Sequence, residues 1–147
     1  MTGYRRSPDY QRPVTRRGII LAVLAIAAMM AATALAFALP ACGGGKRIDC
    51  VVDGDTLWIR GEKIRLAGVD APEIGHAACG KERSLGKAAR AQMEKLTVGE
   101  ATITREGLDD YRRTLARVRF GGIDIGEAMI TGGFARRWDG SKADWCR

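Results

Sequence analysis

Three short blocks of this sequence hold the side chains that could carry out chemistry. The first reads Asp-Gly-Asp-Thr at residues 53–56, the second Arg-Leu-Ala-Gly-Val-Asp-Ala-Pro-Glu at 65–73, and the third Asp-Tyr-Arg-Arg-Thr-Leu-Ala at 110–116. Carboxylate oxygens are the ligands that hard cations such as Ca²⁺ prefer, and a further carboxylate can act as a base. Guanidinium groups bind phosphate through paired hydrogen bonds. The blocks together indicate metal-dependent cleavage of a phosphodiester.

The same residues have plainer interpretations when they are taken one at a time. Asp53 and Asp55 flank a glycine, and Asp-Gly is a common signal of a hairpin turn. Arg65 and Asp70 could form a surface ion pair, and Arg113 could be a solvated loop charge. The catalytic interpretation therefore depends on the combination, and a nucleic-acid or protein binding module without turnover stays an alternative.

An apolar run precedes the three blocks. It covers residues 19–39 and is interrupted only by Thr33. As a helix it would be roughly 31 Å long, about the thickness of the hydrocarbon core of a bilayer. Five arginines and one aspartate lie before it in residues 1–18. The positive-inside rule therefore predicts a basic cytoplasmic N-terminal segment and export of the chain that follows the run.

The sequence leaves open whether this run is a retained transmembrane anchor or a cleaved signal peptide. Alanines at positions 34, 36 and 38 fit a signal-peptide cleavage site, whereas the length of the run favours an anchor. Lipidation of Cys42 is a third alternative. We expect an inner-membrane anchor with the domain outside the cytoplasm, in the periplasm, or a secreted protein if the run is removed. Residues 40–47 are expected to be a linker.

The remaining residues, 48–147, have the length of one small domain. From Lys46 onward the chain carries 19 Lys and Arg against 16 Asp and Glu, a net charge of +3, while the whole chain has +7. About half of the positive charge thus belongs to the N-terminal segment. Net charge alone is therefore no argument for a nucleic-acid partner, and local clusters of arginine carry more weight.

All four cysteines follow the apolar run, which favours two disulfides in an oxidising compartment. Four cysteines allow three pairings, and their spacing does not choose between them. No Cys-x-x-Cys pair is present, so the cysteines do not favour a zinc site.

The apolar pattern of the domain predicts three strands, a helix, two strands and a short helix. The predicted strands are residues 48–52, 56–60, 63–69, 101–105 and 115–120, and the predicted helices are residues 81–96 and 126–131. In the first helix Leu85, Ala89, Met93 and Leu96 recur at helical spacing. A small five-stranded barrel of the OB type fits this order, because closing the sheet removes exposed strand edges.

In their order and spacing these blocks resemble the staphylococcal nuclease (thermonuclease) family. The resemblance extends from about Cys50 to Trp138. It is carried by Val-Asp-Gly-Asp-Thr at 52–56, Arg-Leu-x-Gly-Val-Asp-x-Pro-Glu at 65–73, Asp-x-Tyr-x-Arg-x-Leu-Ala at 109–116 and Gly-Glu-Ala-Met-Ile at 126–130. The expected fold is mainly β with α (α+β), an OB-type barrel with two helices, SNase-like, that lacks the long C-terminal helix of the best-known member.

The resemblance implies a Ca²⁺-dependent endonuclease that hydrolyses phosphodiester bonds in DNA and RNA and leaves 3′-phosphate ends. The implied calcium ligands are Asp55, Asp70 and the backbone carbonyl of Ala71. Glu73 corresponds to the general base. Arg65 and Arg113 correspond to the arginines that bind the phosphate in the transition state. We expect the protein to be a monomer.

Substrate contacts are expected from Tyr111, Arg112 and Trp138. The family has glycine where this chain has Arg112, and the exchange removes easy access to a positive φ in the loop that aims Arg113. The added guanidinium could in turn supply another phosphate contact.

In the fold that the resemblance implies, Cys79 follows Glu73 and Cys146 ends a tail whose Trp138 region borders the same site. We therefore favour a Cys79–Cys146 disulfide that ties the C-terminus to the active-site loop. Cys42 would then pair with Cys50. In the chain-entropy model a loop of about 66 residues restricts the unfolded state by roughly 4 kcal/mol.

Overall fold

The computed structural model describes residues 38–147. The basic segment 1–18 and all but the last two residues of the apolar run 19–39 lie outside this range. The expectations of an anchor or a signal peptide therefore stay predictions. Within the described residues, no helix has both the length and the apolar character needed to cross a membrane.

Eight strands and two helices are present in residues 38–147. The strands are β1 (Cys50–Val51), β2 (Thr56–Ile59), β3 (Glu62–Leu66), β4 (Val69–Asp70), β5 (Ala101–Leu108), β6 (Thr114–Phe120), β7 (Ile123–Asp124) and β8 (Arg136–Arg137). The helices are α1 (Gly80–Leu96) and α2 (Ile125–Thr131). The predicted mixture of mainly strands with two helices is confirmed, and the strands that were missed are each two residues long.

The main sheet has six strands, whereas the sequence predicted five in a closed barrel. Its order is β1-β2-β3-β6-β5, with β7 also paired to β6, and the contact of β3 with β6 is parallel. Within residues 38–147 the end strands β1 and β5 are not paired, so no closed barrel is formed. β7 escaped prediction because two residues cannot show an alternating pattern.

A second, two-stranded sheet joins β4 to β8. The predicted strand 63–69 is divided into β3 and β4 by a turn in which Gly68 has φ +71°, a conformation that glycine adopts without strain. The division places Asp70 on β4, opposite Arg136 of β8. The small sheet thus brings the C-terminal part of the chain to the second sequence block.

Helix α1 begins at a cap formed by Cys79, whose sulfur accepts a hydrogen bond from the backbone N–H of Glu82. The buried face of the helix carries Gly86, Ala89 and Met93. Leu85, predicted to face the core, is instead 38% exposed. Gly86 takes the corresponding position because the chain that precedes the helix packs closely there.

The core lies between the main sheet and the two helices. β2, β3 and β6 contribute alternate residues, α1 contributes Ala89 and Met93, and α2 contributes Ile125 and Met129. Burying one Leu or Ile side chain stabilises a fold by about 1.5–3 kcal/mol. Because inward residues alternate with outward ones, Arg65 on β3 lies on the face opposite to the buried Ile64 and Leu66.

Candidate active site

The turn between β1 and β2 holds a buried carboxylate. Asp55 is only 4% exposed, and its backbone N–H donates to Asp53 Oδ1 at 3.2 Å. A β-carbon on Gly54 would lie 2.7 Å from the methyl carbons of both Ala71 and Ala89. The absence of a side chain at Gly54 therefore lets the turn pack against α1 and against the chain that follows β4.

The carboxylate of Asp55 joins the first and second sequence blocks. Its Oδ1 accepts hydrogen bonds from Arg65 Nη1 at 2.5 Å and from Thr56 Oγ1 at 2.9 Å. Its Oδ2 accepts from the backbone N–H of Ala71 at 3.0 Å. A buried carboxylate with a guanidinium and two further donors is fully paired, so its charge is tolerated inside the protein.

Asp70 lies beside Asp55, because it immediately precedes the Ala71 amide that bonds to Asp55. Asp70 is 3% exposed, and its Oδ2 accepts the backbone N–H of Ala143 at 3.0 Å. The structure thus brings together both predicted carboxylate ligands and the residue whose carbonyl was expected to be the third.

Negative charge is crowded around this pair. Burial, followed by repulsion from Asp55, raises the pKa of Asp53 to about 7, and Glu73 contributes a smaller repulsion. The hydrogen bond from the backbone of Asp55 acts in the opposite direction. Asp55 and Glu73 therefore both lie close enough to Asp53 to repel its carboxylate.

The donor set fits a hard cation of the Ca²⁺ class. Two carboxylates and a backbone carbonyl are all oxygen donors, and they leave coordination positions for water and for a phosphate oxygen. A bound cation would also offset the repulsion that Asp53 experiences. The described part of the chain holds no group of three or more Asp, Glu, His or Cys side chains arranged as a complete metal site.

Glu73 is held in a loop that packs tightly on α1. A β-carbon on Gly86 would lie 2.7 Å from the carbonyl oxygen of Glu73 and 2.8 Å from that of Pro72. The side chain of Glu73 forms an ion pair with Lys142, with 2.8 Å between Nζ and Oε1. The predicted base therefore has a lysine partner that the sequence analysis did not identify.

Glu82 fixes the same loop from the first turn of α1. Its Oε1 accepts the backbone N–H of Glu73 at 3.3 Å, and its Oε2 accepts that of Ala78 at 2.6 Å. Sequence reasoning missed this residue. The spacing of Cys79 and Glu82 was the available signal, because a glutamate three residues after a helix cap commonly bonds back to the preceding chain.

Arg65 contacts a candidate metal ligand directly. Besides its bond to Asp55, Nη2 donates to the carbonyl of Val69 at 3.4 Å, and the side chain is 15% exposed. The alternative of a surface pair with Asp70 is not what the structure shows. Arg65 on β3 pairs with Leu115 of β6, and Arg113 lies in the loop immediately before β6.

The loop before β6 is organised by Asp109. Its Oδ1 accepts the backbone N–H groups of Tyr111 at 3.0 Å and Arg113 at 2.8 Å, and its Oδ2 accepts Arg113 Nε at 2.6 Å. Burial raises the pKa of Asp109, but the hydrogen bonds from Arg113 outweigh this and hold it below its ordinary value. The guanidinium also lies 5.3 Å from the centre of the Tyr111 ring.

Arg112 has φ +60°, the left-handed conformation that side-chain-bearing residues rarely adopt. The loop therefore keeps the geometry suited to glycine although arginine is present. Tyr111 and Arg112 are exposed in this loop, and Trp138 is 43% exposed beside Gly68, whose carbonyl accepts its backbone N–H at 3.0 Å. Trp138 thus borders β4, whereas within residues 38–147 no hydrogen bond or ion pair joins Tyr111 or Arg112 to Asp55, Asp70 or Glu73.

Two disulfides connect the four cysteines. Cys42 is bonded to Cys50, and Cys79 is bonded to Cys146 across 67 residues of sequence. These are the pairs that the sequence analysis favoured. The second bond attaches the C-terminal residues to the start of α1, next to the loop that holds Glu73.

Comparison with known proteins adds to this geometry. Residues 63–144 match the family model described as staphylococcal nuclease homologue. The chain belongs to this family. It is 32% identical over 106 residues to a protein of Haemophilus influenzae described as an uncharacterized endonuclease, with 66% of this chain and 56% of that protein aligned. It is 33% identical over 103 residues to a protein of Shigella flexneri described as micrococcal nuclease, with coverage of 66% and 55%. The chain spans about half the length of these curated relatives.

The match to the staphylococcal nuclease homologue family includes Arg65, Asp70, Glu73 and Arg113 but begins after Asp55. The hydrogen bonds of Asp55 are therefore what link the first block to the rest of the site. Lys142 lies inside the matched region, but its contact with Glu73 spans 69 residues. Nothing in its local sequence marks it as part of the site.

Proposed function

We propose that this chain is a nuclease that hydrolyses phosphodiester bonds in DNA and RNA and uses Ca²⁺. The observation that carries the proposal is the set of bonds around Asp55, which bring Arg65 and the Asp70–Ala71 segment to one buried carboxylate. Membership of a nuclease family supports the same chemistry. The descriptions of the two relatives as an endonuclease and a micrococcal nuclease also agree with it.

In this proposal Asp55, Asp70 and the carbonyl of Ala71 hold the cation. When bound, the ion would polarise the phosphate and neutralise charge that develops on it. Both aspartates are positioned without it, because backbone N–H groups of Ala71 and Ala143 hold one oxygen of each. Asp70 Oδ1 accepts no hydrogen bond within residues 38–147, whereas at Asp55 Oδ1 the ion would have to compete with Arg65 and Thr56.

Glu73 is proposed to take the proton of the attacking water. Its Oε1 is occupied by Lys142, so Oε2 is the atom available to the water. Arg113 uses Nε for Asp109, and within residues 38–147 its two terminal amino groups donate no hydrogen bond. Those groups can therefore bind a phosphate, and Arg65 is the second proposed phosphate ligand. Attack that expels the 5′ oxygen would leave a 3′-phosphate end.

The site of action is proposed to be outside the cytoplasm. The support is the apolar run 19–39 preceded by arginines, together with two disulfides, which persist in oxidising compartments. A chain anchored in the inner membrane, or secreted after removal of the run, would meet nucleic acid there. A protease-protection experiment on cells that express the full chain tests this location.

Purified full-length protein incubated with labelled DNA and RNA tests the activity. Cleavage should occur with Ca²⁺ and stop when a chelator is added. The fragments should end in a phosphate group that a phosphatase can remove. Glu73→Gln should lose turnover and keep nucleic-acid binding, whereas Glu106→Gln, exposed on β5, should cleave normally. Binding of nucleic acid without cleavage by the wild type would favour the binding module instead.

A further inference from the structure

The last nine residues, 139–147, cross the carboxylate site, and we refer to them as the strap. Lys142 contacts Glu73, and the next residue, Ala143, donates its backbone N–H to Asp70. Cys146 then bonds to Cys79, with 6.1 Å between their α-carbons. Adjacent residues of the strap thus contact the proposed base and a proposed metal ligand.

Each of these two contacts engages one oxygen of a carboxylate and leaves its second oxygen without a partner from the strap. Lys142 binds Oε1 of Glu73, and Ala143 binds Oδ2 of Asp70. In the part of the chain that the structure describes, Glu73 Oε2 and Asp70 Oδ1 accept no hydrogen bond. A donor that fixes one oxygen restricts the rotation of the carboxylate and leaves the second oxygen for chemistry, as outer partners of metal ligands commonly do.

The strap has few means of staying in place without the disulfide. It contains no helix or strand, and the side chain of Lys142 is 64% exposed, so its ion pair alone is weak. Trp145 lies under the guanidinium of Arg136, 4.9 Å from its ring centre, and Lys81 donates to the carbonyl of Arg147. The Cys79–Cys146 bond holds the strap at a high effective concentration beside the site.

We propose that Lys142 is a positioning residue that holds Glu73 in its reactive orientation, and that the Cys79–Cys146 bond keeps Lys142 beside Glu73. The strap correspondingly orients Asp70 through the backbone of Ala143. This inference rests on the proposed nuclease function for its kinetic consequence, whereas the attachment of the strap can be measured on the protein without any substrate.

Hydrogen exchange of the Ala143 amide, followed by NMR, measures the attachment. In the wild type this amide should exchange slowly, because it donates to a buried carboxylate. In Cys79→Ser/Cys146→Ser it should exchange at the rate of an unstructured chain, while amides of α1 and the main sheet keep their protection. Serine preserves a hydrogen-bond acceptor at the helix cap. The matched control is Cys42→Ser/Cys50→Ser, in which Ala143 should stay protected.

Kinetics measure the consequence for Glu73. Lys142→Met should lower kcat by about 10-fold with little change in KM, because a misplaced reacting group slows the step without weakening binding. Lys142→Arg should restore most of the rate, since it keeps a cation that reaches Oε1. Lys87→Met makes the same change of charge on an exposed position of α1 and should leave kcat unaltered.

Two results would overturn the inference. One is an Ala143 amide that exchanges equally fast with and without the Cys79–Cys146 bond. The other is a kcat that is unchanged or increased by Lys142→Met, and an increase would identify the strap as a cover that blocks the site. If the wild type cleaves no nucleic acid, the proposed function fails, and the exchange experiment still decides whether the disulfide holds the strap on Asp70.

Discussion

Gly86 offers a direct test of whether the position of the Glu73 loop matters for activity. Gly86→Ala adds one methyl group to the buried face of α1. That carbon would lie 2.7 Å from the carbonyl oxygen of Glu73 and 2.8 Å from that of Pro72. Ordinary contacts between carbon and carbonyl oxygen are about 3.3–3.6 Å, so the loop must move away from the helix by roughly 0.5–0.9 Å.

The effect of Gly86→Ala on stability is a difference between two opposing terms. Alanine favours the interior of a helix over glycine by about 1 kcal/mol. Overpacking of a tight contact costs about 1–3 kcal/mol, and here the neighbouring atoms are backbone, which adjusts less easily than a side chain. The free energy of unfolding should therefore fall by about 0–2 kcal/mol, which leaves the protein folded at room temperature.

Activity should respond more strongly than stability. A displacement of this size at a reacting carboxylate can lower the rate by roughly 10- to 100-fold. The control is Gly80→Ala at the first residue of α1, where a β-carbon meets no atom within 4 Å. Urea denaturation and initial rates of DNA cleavage should be measured on both variants. Cleavage by Gly86→Ala within twofold of Gly80→Ala would refute the argument.

Other substitutions test the arginine loop, the sheet and the carboxylate turn. Arg112→Gly should raise the free energy of unfolding by about 1 kcal/mol, measured in urea, because glycine adopts the left-handed conformation without strain. Hydrogen bonds, first that from Arg105, lower the pKa of Glu62 from 4.5 to about 2. The stabilisation by Glu62 is therefore complete above pH 4.5 and lost as the pH falls towards 2. Glu62→Gln should lower the free energy of unfolding by about 1 kcal/mol at pH 7, a value typical of a partly exposed ion pair. The variant should also lose less stability as the pH falls. Asp55→Asn should abolish cleavage and weaken Ca²⁺ binding in calorimetry, because it removes one of the two proposed carboxylate ligands.

Each of these substitutions has its own control and contrary result. A loss of stability in Arg112→Gly would show that contacts of the arginine side chain outweigh its backbone strain. Glu106→Gln removes an exposed ion pair with Arg117, between β5 and β6, and should leave the loss of stability in acid unchanged. If Asp55→Asn cleaves DNA at the wild-type rate while it stays folded, the assignment of Asp55 as a ligand is wrong.

The regular elements could be predicted because their patterns are long enough to be periodic. The strand that became β6 alternates inward and outward residues over seven positions, and α1 repeats over 17. β4, β7 and β8 have two residues each and show no period. The number of strands in the main sheet was therefore predicted as five instead of six.

Parts of the site were predictable for a different reason. The family's glycine drew attention to the backbone at Arg112, where its loss was expected to remove easy access to a positive φ; the structure nevertheless has φ +60° there. The ion pair between Lys142 and Glu73 joins positions 69 residues apart, and no local pattern can indicate such a contact. The choice of Asp55 as the partner of Arg65 depends in the same way on how two strands align.

The structural role of Asp55 and its proposed role as a metal ligand cannot be separated by its own mutation. Its backbone carbonyl accepts the N–H of Leu66 at 2.8 Å, and its side chain accepts hydrogen bonds from Arg65 and Ala71. Removal of the carboxylate leaves the partly buried guanidinium of Arg65 without its counter-charge, which destabilises the fold as well as the site. Asp70 accepts only the Ala143 amide through its side chain in residues 38–147, so its substitution disturbs fewer bonds. Loss of Ca²⁺ binding is therefore best attributed to a missing ligand when Asp70 and Asp55 variants are compared at equal fractions of folded protein.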